Sequence, residues 1–89
     1  LNLYRISEGD VSSVTLNIRT IAENAIRANA VQVVLAHNHP SGIALPSADD
    51  IAATQDVERM LDTMGIRLAD HIIAADSDFV SLRDSGYIT

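Results

Sequence analysis

The run from Val31 to Ala36, apolar except for Gln32, is strand-sized and leads straight into His37-Asn38-His39. A strand of this composition is the kind that helices cover on both faces of a sheet, so it predicts the central strand of a layered α/β domain. It ends on two imidazoles. Because side chains alternate along a strand, His37 and His39 leave on one side and Asn38 on the other. Pro40, Ser41, Gly42 and Pro46 give the following segment the composition of a tight, shaped loop. Ser47 and Asp50 then form the Ser-x-x-acid pattern of a capping box, which predicts a helix starting at Ser47.

The rest of the chain is read around that strand. Leu1 to Ile6 is strand-like, Ser7 to Asp10 interrupts it as a turn or bulge, and Val11 to Leu16 resumes a short β-compatible stretch. Ile18, Ile21, Ala22, Ala25 and Ile26 recur at intervals of three and four, laying an apolar stripe along a helix that ends near Arg27 to Asn29, with Asn17 as its N-cap. In the second helix Ile51, Val57, Leu61 and Met64 carry the apolar face, with Met60 at its margin, and Gly65 supplies the left-handed stop. Ile66 to Ala75 reads as a strand, Asp76 to Asp78 as a hairpin connection into Phe79 to Leu82, and Ser85-Gly86 as one more turn. The order β, β, α, β, α, β, β predicts an α/β fold with a mixed central sheet flanked by helices. Its 89 residues make one domain. The chain opens on Leu1 in an apolar-rich run, so a fragment of a longer protein is expected.

His37, His39 and Asp50, eleven positions beyond His39, make a nitrogen and oxygen donor set suited to zinc, with a fourth tetrahedral position left for water. Cysteine is absent, so thiolate catalysis, disulfides and cysteine zinc sites are excluded. A water activated at such a site needs a general acid/base. Glu8, beside Gly9 in the β interruption, is the candidate, although a solvated turn residue fits it equally well. Ser41 and Ser47 are hydroxyl donors placed to stabilise an oxyanion. Asp50 also has a capping role with Ser47, and His71 in Asp70-His71-Ile72 reads as a hydrogen-bonded core residue. No serine-histidine-acid triad is legible, and lysine, which a phosphate-cradling loop would require, is missing from the chain.

Twelve acidic residues against six dispersed arginines give a formal net charge of -6, which argues against autonomous nucleic-acid binding. Tyr4, Phe79 and Tyr87 are too scattered for a base-stacking platform. No apolar run reaches membrane-spanning length and no leader is visible, so a cytoplasmic location away from membranes is expected.

His37-Asn38-His39-Pro40-Ser41-Gly42 followed by Pro46-Ser47-Ala48-Asp49-Asp50 resembles the JAMM motif of the JAB/MPN metalloprotease superfamily: His-x-His, seven residues, Ser, two residues, Asp. Within it, Ala36 to Gly42, Asp70-His71-Ile72-Ile73 and Phe79-Val80-Ser81-Leu82 resemble the bacterial RadC family, historically labelled DNA repair proteins. The resemblance runs over essentially the whole chain; the family's domain usually has a further helix and strand upstream. It implies a cytidine-deaminase-like α/β fold and a zinc held at His37, His39 and Asp50. It also implies a carbonyl-polarising role for Ser47 and an early-strand glutamate that deprotonates the water and protonates the leaving amine. Glu8 takes that role here, with a glutamate upstream of Leu1 as the alternative. The activity implied is zinc-dependent hydrolysis of peptide or isopeptide amides in a peptide or protein substrate. Two other readings stay open: a DNA-repair accessory domain, and an interaction module in which zinc serves only folding.

Overall fold

The computed structural model describes residues 2–6 as backbone, and residues 18–39 and 44–89 with their side chains. The expected turn at Ser7 to Asp10, the strand over Val11 to Leu16, the Asn17 cap, Glu8 and Ser41 all lie outside the described residues.

The elements are β1 (Asn2–Ile6), α1 (Ile18–Arg27), β2 (Gln32–Asn38), α2 (Ala48–Thr63), β3 (Arg67–Ala75) and β4 (Asp78–Ser81). Among the described residues they form one four-stranded sheet in the order β1-β2-β3-β4, in which β1, β2 and β3 run parallel and β4 antiparallel to β3. Parallel neighbours cannot be joined by a tight turn and need a crossover; α1 links β1 to β2, and α2 links β2 to β3. The antiparallel pair needs only Asp76 and Ser77 between Ala75 and Asp78, with Asp76 at a φ of 50° that short polar side chains tolerate. This is the mixed sheet with helices that the pattern predicts.

One apolar cluster holds the layers together, joining Ile21 and Ala25 of α1 and Val57 and Leu61 of α2 to Val33, Leu35, Leu68 and Ile73 of the sheet. Both helices therefore hide their stripes in a common core, the largest favourable term available to a domain of this size. The stripes are narrower than predicted. Ile26 is 64% exposed because α1 turns it away from the cluster, and Met60 rather than Met64 packs against the core, since Met64 caps the helix where Gly65, at φ 74°, ends it. Burial along β2 alternates, with Val33, Leu35 and His37 buried and Val34 and Ala36 half-buried. The apolar run predicts burial on both faces, but the core forms on the side of Val33 and Leu35.

A bulge in β3 decides which residues face that core. Val33 pairs with Leu68 but Val34 with Asp70, so Ala69 is an extra residue, and the phase of the strand flips after it. Leu68, then His71, Ile73 and Ala75, are buried in consequence. The bulge frees backbone carbonyls, and Arg83 satisfies them: its Nε donates to Ala69 O and its Nη2 to Leu68 O. The C-terminal turns return Leu82 and Ile88 to the cluster, and the Thr89 amide donates to Glu58 Oε2 on α2 at 3.0 Å.

Candidate metal centre

His37 leaves the buried face of β2 near its C-terminal end and is 4% exposed. His39 lies one residue past the strand, yet its amide still donates to Ala74 O of β3 at 2.8 Å, so the ladder carries the extended geometry through it. The period of two therefore holds, and the His37 and His39 rings meet edge to face with centroids 4.8 Å apart. Asn38 between them is exposed.

Asp50 is delivered by the start of α2. Ser47 is the N-cap, its hydroxyl accepting the Asp50 amide at 3.0 Å while its own amide donates to Asp50 Oδ2 at 2.9 Å, a complete capping box. This reciprocal pair pins the Asp50 carboxylate, and Oδ2 lies 3.3 Å from His39 Nε2. Burial opposes ionisation of Asp50 most strongly. The Ser47 amide and hydroxyl, with His39 and His37 beyond them, outweigh it and bring the carboxyl below its ordinary 3.8. Capping and clustering are compatible roles, as the sequence suggests.

One ligand atom from each of His37, His39 and Asp50 lies within 4.8 Å of the others, and the three residues could hold a metal ion. Zinc with nitrogen and oxygen ligands near 2.1 Å holds neighbouring donors about 3.4 Å apart. The His39–Asp50 separation already meets that value, and the widest separation closes by a movement of order 1 Å, within reach of side-chain rotation. Two imidazoles and one carboxylate fit zinc chemically, and three protein donors leave a coordination position open. Ser47 is exposed beside the cluster.

His71 is buried in the core, as its strand pattern predicts, and its ring lies over His37 with centroids 6.1 Å apart. Burial first, and His37 after it, hold its pKa down to about 4. Its partner, Thr54, is a residue that sequence reasoning passes over: fully buried on α2, with its hydroxyl 2.7 Å from His71 Nδ1 and 2.6 Å from Asp50 O. The signal was its position, one turn after Asp50 and between Ile51 and Val57 on the apolar stripe.

Among the described residues, no helix is long and apolar enough to cross a membrane. A family model described as a RadC-like JAB domain matches residues 1–87. A UPF0758 protein of Acidithiobacillus ferrooxidans is 38% identical over 78 residues, covering 88% of this chain and 35% of that protein. One from Marinomonas sp. is 41% identical over 80 residues (90% and 36%), and one from Desulforudis audaxviator 40% identical over 86 (97% and 37%). The chain thus spans little more than a third of the length of these relatives.

Proposed function

The chain belongs to the family of RadC-like JAB domains, and on that premise we propose that residues 1–89 form a cytoplasmic zinc-dependent hydrolase domain acting on peptide or isopeptide amide bonds of a protein substrate. The observation that carries this reading is the convergence of His37, His39 and Asp50, with His39 Nε2 and Asp50 Oδ2 at the spacing of two zinc donors.

Bound there, zinc supplies a Lewis acid for the scissile carbonyl and lowers the pKa of a water to about 7. His37 and His39 would hold it through ring nitrogens and Asp50 through its carboxylate. The depressed pKa of Asp50 keeps that negative charge in place at neutral pH. Burial of His37 keeps the inner wall of the site dry, which strengthens each electrostatic contact made inside it. Glu8 accepts the proton of the attacking water and delivers it to the leaving nitrogen, so that one carboxyl serves both halves of the cleavage. Ser47 offers its hydroxyl proton to the developing oxyanion while its oxygen keeps the Asp50 amide.

The test is metal analysis of the zinc-loaded chain beside His39→Ala and Asp50→Ala, followed by hydrolysis of an isopeptide-linked lysine peptide pool. One zinc per chain is expected in the parent and in Glu8→Gln, and none in the two ligand variants. Hydrolysis should fall by about 10²–10⁴ in Glu8→Gln. Equal zinc content in the parent, His39→Ala and Asp50→Ala would overturn the assignment.

A further inference from the structure

We infer that Thr54 and His71 are positioning residues for Asp50: a buried hydrogen-bond relay from β3 through the α2 hydroxyl to the Asp50 carbonyl sets where this ligand stands relative to His37 and His39. The inference rests on the metal-binding reading above and adds two residues to it.

The direction of the relay follows from donor and acceptor chemistry. Asp50 O is a carbonyl and can only accept, so at 2.6 Å the single hydroxyl proton of Thr54 is given to it. The Thr54 oxygen can then only accept from His71, 2.7 Å away. His71 therefore carries its proton on Nδ1, and its Nε2 is a bare lone pair, buried and without a hydrogen-bond partner among the described residues.

The topology gives the relay its use. His71 is in register with Leu35, two residues before His37 on β2, and Ile73 is in register with His37 itself. The β2–β3 ladder thus fixes His71 relative to the histidine ligands, and the Thr54 hydroxyl carries that reference to the first turn of α2. The capping box sets the direction of the Asp50 side chain; the relay sets the position of its backbone along the strand end. A polar pair of this kind is costly in a core, since Thr54 and His71 are 0% and 1% exposed, and His71 without the Thr54 oxygen leaves a buried N–H unmet. Partners that orient metal ligands in this way govern metal affinity strongly.

Two measurements test it. Nitrogen-detected NMR of the metal-free chain should find His71 as the Nδ1–H tautomer; the Nε2–H tautomer would overturn the relay regardless of any metal. Zinc titration against a competing chelator should then find affinity reduced about 10- to 100-fold in Thr54→Val, of nearly the same shape, and restored to within about threefold by Thr54→Ser. His71→Leu should weaken zinc similarly, and His71→Asn, whose amide can donate from the Nδ1 position, should recover much of the loss. Should Thr54→Val fail to fold, the pair of His71 variants decides. Parent affinity in Thr54→Val or His71→Leu, with Asp50→Ala binding no zinc, would remove the positioning role alone. A parent chain that takes up no zinc would remove the metal reading and this inference with it.

Discussion

Two polar assemblies flank β3, and they are built on opposite terms. At the bulge, Asp70 Oδ2 accepts the Ser81 hydroxyl at 2.5 Å, and Oδ1 accepts the amides of His71 and Arg83 at 2.7 and 3.1 Å, while Arg83 covers the carbonyls that the bulge released. One carboxylate facing three directed donors and one guanidinium on two backbone carbonyls make up a structural hydrogen-bond network. At the other end of the strand, two imidazoles and a carboxylate converge on one space, and all three are donors suited to a cation. The first assembly engages its carboxylate with three named donors; the second brings together ligand atoms of three side chains that could hold a metal ion. The difference between a clasp and a site lies in the chemistry of the groups gathered: one carboxylate among hydrogen-bond donors at the bulge, three metal-ligating side chains at the strand end.

That contrast can be broken or sharpened. The largest effect should come from the metal: zinc at a thousandfold excess over Kd raises unfolding free energy by about 4 kcal/mol, and the gain should vanish in Asp50→Ala. Thermal unfolding with and without chelator reads it. Next, Asp70→Ala should destabilise the metal-free chain by about 2–4 kcal/mol, because three donors lose one carboxylate. Zinc stoichiometry should remain as in the parent, and urea unfolding beside metal analysis checks both. If Asp70→Ala lost zinc and kept its stability, the two assemblies would have been assigned the wrong way round.

A pH effect of intermediate size separates them further. His71 has a folded pKa of about 4 against 6.5 for the free side chain, so below 6.5 the unfolded chain binds a proton that the folded chain refuses. Stability of the metal-free protein should therefore be level above pH 6.5 and fall on acidification toward pH 4, by up to about 1.4 kcal/mol per pH unit. The depressed carboxyl of Asp50 contributes in the same sense only at lower pH, as its charge is lost below 3.8. His71→Asn should flatten the upper slope in urea titrations at stepped pH. The smallest effect is at the cap: Ser47→Ala should cost about 1 kcal/mol through loss of the acceptor for the Asp50 amide.

How much of this the amino-acid order discloses depends on the range of the interaction. The convergence of His37, His39 and Asp50 is legible because each part is local: a period of two places the imidazoles, and a capping box four residues long places the acid. The sheet and its crossover helices are legible for the same reason. The β3 bulge is not, since an extra residue at Ala69 is a relation between two strands and leaves no mark on either alone. Arg83 reads as an ordinary charged tail residue until the bulge gives it carbonyls to cover. Thr54 reads as one more polar residue on a helix, and only its burial against His71 reveals a partner seventeen positions away. Ile26 and Met64 extend their helical stripes by spacing, but where a stripe ends depends on what the neighbouring layer reaches.

Whether the end of β2 and the start of α2 together form one cation site is read most directly by X-ray absorption at the zinc edge of the loaded chain. A sulfur-free nitrogen and oxygen shell at about 2.0–2.2 Å containing two imidazoles is expected, and it should be lost in both His39→Ala and Asp50→Ala. A shell with a single imidazole, or spectra identical in the parent and both variants, would contradict it.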